Sequence, residues 1–274
     1  MAQNIDKSQS MQEFIKGKVI KELAKGVASM REFVYPSVLQ SAAIPALKKT
    51  EAKNIIVRYS EMSGIKLTLL LPVLNSQIKH AVVNDEEGLL YTLVLCNTNA
   101  RCMELAAFAS ELTKFCKDVV DVIQFEHIDF QDVKHDWKQR TETQNKIRDD
   151  ADDEQKAEIK LRNKVLFVTP SLASIIFSKG LLTAANSKCF SVIIDKINMH
   201  QAFDLDQDLI ELSKEANFPA HESIVFKTVF TTNLESEKTS DETQKENYNS
   251  IKKCYMGAKD KANALVIQLN QEHR

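Results

Sequence analysis

Apolar and polar positions alternate between two kinds of segment along this chain. Short runs dense in Val, Ile, Leu and Phe occur at Asn54–Tyr59, Tyr91–Asn97, Val119–Phe125, Lys164–Thr169, Cys189–Asp195 and Ser223–Phe230. Several are almost continuously apolar, the pattern of strands covered on both faces. Longer segments with helical spacing lie among them. Gln12–Ala28 places Phe14, Val19, Leu23 and Val27 near one face, Ala100–Cys116 carries Met103, Ala107, Leu112 and Phe115, and Leu205–Glu215 carries Leu209, Ile210 and Leu212. A further helical pattern, Lys259–Gln271, comes last. Strand and helix in alternation predict an α/β fold with a mainly parallel sheet, right-handed crossovers and helices on both faces.

Two segments break the rhythm. Lys134–Asn163 is rich in both signs of charge and poor in apolar residues, and it predicts an exposed charged helix or a partly disordered insert. Trp137, the only tryptophan, heads this insert; it either pins the insert to the domain or stacks a base or a partner. Leu234–Asn249 is polar and reads as a linker.

Composition narrows the function classes. The 274 residues carry a formal net charge of −2, so there is no global attraction to nucleic acid and any RNA binding must come from a local patch. The densest apolar run, Leu67–Leu74, is far shorter than the ~20 residues of a membrane span. The polar start MAQNIDKSQS has no apolar core of a secretory signal. Five scattered cysteines without a CxxC pair predict reduced thiols in an intracellular compartment, and the short apolar runs predict a soluble protein. The six histidines lack zinc-ligand spacing, and the acidic run Asp149, Asp150, Asp152, Asp153 and Glu154 lacks EF-hand spacing, so no metal site is expected.

The candidate chemistry sits where strands meet helices. IVRYSEMSGIKLTLLLP (Ile56–Pro72) runs from strand through a small polar loop into an apolar helix that is expected to end at the proline. Such junctions hold phosphate when the loop is glycine-rich, yet this loop has Gly64 as its one glycine. Five further segments carry candidate chemistry: YPSVLQSAAIPAL (Tyr35–Leu47), TLVLCNTNARCMEL (Thr92–Leu105), VLFVTPSLASIIFSKGLL (Val165–Leu182), FSVIIDKINMHQAFDLDQDLIEL (Phe190–Leu212) and SIVFKTVF (Ser223–Phe230).

In their order these segments resemble the first RecA-like lobe of the DEAD-box RNA helicases, a P-loop NTPase fold. The resemblance spans roughly Phe14 to Leu269. Tyr35–Leu47 is similar to the family's Q motif, which implies that Gln40 would read an adenine edge and Phe14 would stack on its ring. Lys53–Leu74 has the frame of the phosphate loop. In the gapless register Met62 stands where a glycine belongs, Ile65 replaces the lysine and Lys66 the threonine. A one-residue slip makes Lys66 the phosphate lysine but leaves Leu67 without the hydroxyl that would hold Mg²⁺. Thr98 matches a loop that grips RNA, while Asn97 and Asn99 replace its proline and arginine. Thr169 and Pro170 match another such loop, with Ala173 in place of its arginine. Asp195 matches the first residue of the DEAD motif, but Lys196 stands where a glutamate would position water, and a lysine cannot accept that proton. Lys227, Thr228 and Val229 stand in the place of the SAT motif.

The resemblance implies a lobe at residues 1–233 with its insert at 134–163. Residues 234–274 would be a linker and a helix like the start of a second lobe, the rest of which the chain lacks. Residual nucleotide contacts would be Phe14, Gln40, Ser63, Gly64, Lys66 and Asp195, and RNA contacts Thr98, Asn99, Thr169 and Pro170. No catalytic residue remains. No cofactor is expected on this reading, and no DNA or membrane partner. The expected role is a degenerate helicase-like module for RNA or ribonucleoprotein partners. A weaker likeness in PSVLQ, TPS and ELTKFCKDVVDVIQF leans toward the nucleolar subfamily of large-subunit ribosome assembly. Two alternatives stand: a divergent ATP- and Mg²⁺-dependent helicase, or one lobe of a longer or two-chain enzyme, in ribosome assembly; and a fold kept only for protein–protein contact.

Overall fold

The computed structural model describes residues 5–48, 54–60, 62–83, 89–116, 120–125, 131–135, 137–139, 163–182, 187–202, 205–216, 227–233, 246, 249–251, 254–255 and 265–268. Among them seven strands form one parallel sheet: β1 (Asn54–Tyr59), β2 (Leu89–Leu95), β3 (Val120–Gln124), β4 (Asn163–Val168), β5 (Ser187–Ile194), β6 (Lys227–Asn233) and β7 (Leu265–Gln268). Their order across the sheet is β3-β4-β2-β5-β6-β1-β7. Helices among the described residues include α1 (Met11–Ile15), α2 (Lys21–Ser29), α3 (Val38–Lys48), α4 (Ile65–Val83), α5 (Asn99–Leu112), α6 (Pro170–Ser178), α7 (Ile197–Ala202) and α8 (Asp206–Glu215).

Strand periodicity sorts the apolar side chains into two cores. Ile55, Val57 and Tyr59 of β1, Val94 of β2, Val165 and Phe167 of β4 and Ile193 of β5 face one core, with α1 to α5. Ile56, Leu93, Leu95, Leu166, Val168, Val192 and Ile194 face the other, with α6 to α8 and Tyr255. Successive strand side chains point to opposite faces, so a near-continuous apolar run fills both cores. This is the α/β sheet covered on both faces that the sequence pattern implies. Trp137 packs against the second core, with the Lys164 ammonium 5.5 Å from its ring centre. Most of the charged segment 134–163, its acidic run, and most of 234–249 lie outside the described residues.

Three local expectations are corrected. Gln12–Ala28 is not one helix: α1 ends before Gly17, which sits at φ +69°, and α2 starts at Lys21. A left-handed residue stops a helix, and glycine adopts that conformation without the Cβ penalty. Pro72 does not end its helix; α4 continues through it to Val83. The buried stripe of Leu67, Leu70, Leu71 and Leu74 outweighs the lost backbone donor. The segment read as a last helix holds strand β7, which runs parallel to β1 from Ile55↔Leu265 to Arg58↔Gln268. Four residues of the run ALVIQ are too few to show a period, and the open edge of β1 supplies the hydrogen bonds.

The helices lock onto the sheet through specific contacts. Ser10 and Glu13 form a capping box at the start of α1. The Ile20 N–H donates to Asn75 Oδ1 at 2.9 Å, tying α2 to α4. Gly26 lets α2 lie against the end of α5, since a Cβ there would come within 2.0 Å of the Leu112 carbonyl oxygen. Among the described residues no helix is long and apolar enough to cross a membrane.

Candidate functional site

All seven strands run parallel, so the loops that follow them gather at one edge of the sheet, the usual place for ligands in open α/β folds. A cavity of about 470 Å³ opens at this edge. Its wall includes Tyr35 and Gln40, the β1–α4 loop, Arg101 of α5, Phe108 and Lys196.

The β1–α4 loop is held by α3 and by the segment leading into it. Ser37 Oγ donates to the Ser63 carbonyl at 2.6 Å, and Gln40 Nε2 donates to the Gly64 carbonyl at 3.2 Å. Gln40 Oε1 accepts from the Ser37 N–H at 2.8 Å. Gln40 is buried, and both ends of its amide are used in fixing this loop. Gly64 lies at φ +79°, and a Cβ there would meet Gln40 Nε2 at 2.4 Å. Met62 takes φ +60°, an uncommon conformation for a residue with a Cβ, and its side chain is exposed. The loop between β1 and α4 therefore carries two left-handed residues, Met62 and Gly64.

The charged side chains form one linked set. Lys66 Nζ is 2.7 Å from Glu104 Oε1. Glu104 Oε2 accepts from Arg101 Nη1 at 2.7 Å. Burial pushes the Glu104 carboxyl up, but the hydrogen bonds and charges of Lys66 and Arg101 outweigh it and hold the group down to about 2. Arg101 Nε donates to Asp195 Oδ2 at 2.7 Å. Asp195 is fully buried, and its other oxygen accepts from Thr231 Oγ1 at 3.1 Å. Thr231 Oγ1 in turn accepts from the Lys196 N–H at 2.7 Å. Behind them His200 Nε2 lies 3.0 Å from the Asp195 carbonyl oxygen. A carbonyl only accepts, so the proton of the neutral ring sits on Nε2. Burial pushes this imidazole down to about 4, against the pull of the Asp195 charge.

The residues singled out in the sequence fall into three groups. Gln40, Gly64 and Lys66 come together on the cavity wall, with Ser63 and Asp195 immediately behind it. Thr98 and Asn99 follow β2, and Thr169 and Pro170 follow its neighbour β4, so these four share the same edge. Thr98 caps α5 by accepting from the Arg101 N–H at 3.2 Å, and Asn99 Oδ1 accepts from Gln124 Nε2 at 3.2 Å. Pro170 is buried at the first turn of α6, and Thr169 is its N-cap. Phe14 is the exception. It is buried in the first core, with Lys18 Nζ 4.2 Å from its ring centre, and it does not line the cavity. Helical spacing makes a core position of it; the cavity takes its aromatic wall from Phe33, Tyr35, Tyr59 and Phe108.

A second correction concerns the strand after Asp195. The motif placed at 227–229 implies that its hydroxyls are lost, yet a hydroxyl of the same strand, on Thr231, reaches the carboxylate, because β5 pairs with β6 in the register Ile194↔Phe230. Arg101 and Glu104 were not among the expected site residues. Their i,i+3 pairing is legible in the sequence, but the Asp195 contact spans 94 positions.

A magnesium ion bound to a nucleotide does not fit these side chains. Both Asp195 oxygens are engaged, one of them by a guanidinium. Leu67, the hydroxyl position in the slipped register, is buried apolar core. The Lys66 ammonium is held by a carboxylate.

No protein-family model and no curated protein sequence matches the chain. Solved structures do. The DEAD-box helicase Mss116 bound to single-stranded RNA and UDP-BeF matches with a TM-score of 0.63 and 15% identity, covering 97% of this chain and 47% of that one. Dbp5 of S. cerevisiae bound to RNA and ADP-BeF3 matches with a TM-score of 0.59 and 19% identity over 96% of this chain and 52% of that one. A DEAD-box protein of the hyperthermophile Methanococcus jannaschii matches with a TM-score of 0.60 and 15% identity over 92% and 54%. The chain thus spans about half the length of each. At such identities the shared property is the fold, and this chain has the fold of a single RecA-like lobe of the DEAD-box helicases.

Proposed function

We propose that this chain is a helicase-like lobe without ATPase or unwinding activity, working as a binding module for RNA or ribonucleoprotein. The observation that carries this reading is the 2.7 Å contact from Arg101 Nε to Asp195 Oδ2. It puts a fixed protein cation on the carboxylate that would otherwise face a metal ion. Lys196 next to it adds a second positive charge where a water-activating acceptor would be needed. RNA as the partner is supported by the grouping of Thr98, Asn99, Thr169 and Pro170 at one edge, and by RNA in the Mss116 and Dbp5 structures that share the fold.

The test is ATP turnover by the purified chain, with and without single-stranded RNA, beside RNA binding at low salt. The expected result is RNA binding with no turnover above the buffer rate. An RNA-stimulated rate abolished by Asp195→Ala would overturn the proposal. Absence of any RNA affinity at low salt would reduce the role to protein–protein contact.

A further inference from the structure

Three lysines converge at the edge of the sheet opposite the cavity, where the strands begin. α3 ends at Lys48 before the chain enters β1, and α4 ends at Val83 before β2, so both helices finish at this amino edge. Lys48 lies in the last turn of α3, which packs beside α4. Lys79 stands one turn beyond Asn75 in α4. Asn75 Oδ1 accepts the Ile20 N–H at 2.9 Å, and this bond brings the α1–α2 turn, with Lys18, to the same place. Lys18 Nζ lies 4.2 Å from the centre of the buried Phe14 ring. Burial pushes the partly buried Lys48 ammonium below the ordinary lysine value, and the charges of Lys79 and Lys18 push it further the same way.

None of the three is paired with a carboxylate among the described residues, in contrast to Lys66, Lys114 and Lys164. The dipole at the end of α3 favours one cation there, not three. A local excess of positive charge on a chain of formal charge −2 is the footprint of a polyanion contact. Side-chain type says which polyanion. An ammonium is a point charge on a flexible stem, and it meets phosphate without reading a base. Phe14, the aromatic beside Lys18, is buried and offers no face on which a base could stack. A duplex stem, with its bases paired inside and its phosphates outside, needs charge alone.

We infer that Lys18, Lys48 and Lys79 bind the backbone phosphates of a duplex RNA stem, at the edge of the sheet away from Thr98, Asn99, Thr169 and Pro170. This deepens the proposed function and rests on its RNA-binding part. The six residues of β1 set the two edges about 20 Å apart, so a single strand at one edge and a stem at the other are neighbouring parts of one folded RNA.

The test is fluorescence anisotropy of the full chain, over a salt series, with a single-stranded RNA oligonucleotide and with the same oligonucleotide carrying a hairpin stem. Three phosphate contacts at ~0.7–0.9 each should steepen the log Kobs against log salt slope by about 2 to 3 for the stem-bearing RNA, so a fourfold rise in salt costs it about 20- to 40-fold more affinity than the single strand. Lys18→Gln, Lys48→Gln and Lys79→Gln combined should abolish that increment and leave the single strand unaffected. Lysine acetylation read by mass spectrometry locates the contact in the unaltered chain: the stem-bearing RNA should protect all three lysines, the single strand none. Binding of the single strand with no increment from the stem would overturn this inference alone, as would an increment that survives the triple substitution. Protection of the three lysines by polyglutamate but not by the stem would replace RNA with an acidic protein segment at this site. No affinity for either RNA would overturn this inference together with the RNA-binding part of the proposed function.

Discussion

Arg101 decides more about this site than any other residue. Asp195 is fully buried, and a buried carboxylate is tolerated when its charge and lone pairs are met. Arg101 and Thr231 meet them. Arg101→Ala should lower stability by about 3–5 kcal/mol, because it leaves that charge unpaired. Adding Asp195→Asn should recover a large part of the loss, as a double-mutant cycle by urea denaturation would show. Equal losses in the single and double variants would mean that the contact carries no coupling. His200 gives a second residue-scale expectation. Its folded value of about 4 lies below the ordinary 6.5. As pH falls below 6.5 the unfolded chain takes up the proton first, so the stability due to the neutral ring is complete above 6.5 and is lost on the way down to about 4. The total is on the order of 3 kcal/mol. His200→Gln should flatten the stability profile in that window, measured as unfolding free energy against pH. A profile equally steep in the variant would assign the slope to other groups.

At the scale of elements, close approach and chain reversal are set by single glycines. Gly26→Ala should cost about 1–3 kcal/mol, since the new methyl would lie 2.0 Å from the Leu112 carbonyl oxygen and α2 must move from α5. Gly17→Ala tests a different cause. Nothing lies within 4 Å of a Cβ there, so its expected cost of about 1–2 kcal/mol comes from the left-handed backbone alone. Melting curves of the two variants separate a clash from strain. The elements themselves were largely legible. β1 has the bounds that its apolar run predicts, and the other predicted strands differ from the observed ones by a few residues at their ends. Two of the failures arose because tertiary context overrode a local signal. Pro72 marks an end that α4 ignores, and the short apolar run at Leu265–Gln268 becomes a strand because β1 offers an open edge.

For the whole molecule, the formal charge of −2 limits how RNA could be held. A strongly basic protein would neutralise many phosphates and lose affinity steeply with salt. Here the carboxyl edge of the sheet must supply a small number of contacts, so a log Kobs against log salt slope of about −1 to −3 is expected for single-stranded RNA, at ~0.7 per phosphate neutralised. Fluorescence anisotropy over a salt series reads it directly, and a slope steeper than about −5 would point to a much larger basic surface than this edge provides.

What the sequence determined by itself is the frame. Periodicity is a local property, and the alternation of apolar runs with helical patterns is enough to imply a parallel sheet covered on both faces, with loops gathered at one edge. The resemblance, not the periodicity, singled out Gln40, Gly64, Lys66 and Asp195; Gly64, Lys66 and Asp195 lie just past strand ends, and Gln40 lies in α3. Only the tertiary structure decided what those residues do. Gln40 spends its amide on Ser37 and Gly64, Lys66 is held by Glu104, Phe14 lies in the core, and Thr231 meets Asp195. The physical reason is reach. Charge pairing and hydrogen-bond competition act over a few ångströms between groups that can be 94 positions apart, and no spacing along the chain encodes them until the sheet brings α5 and β5 together.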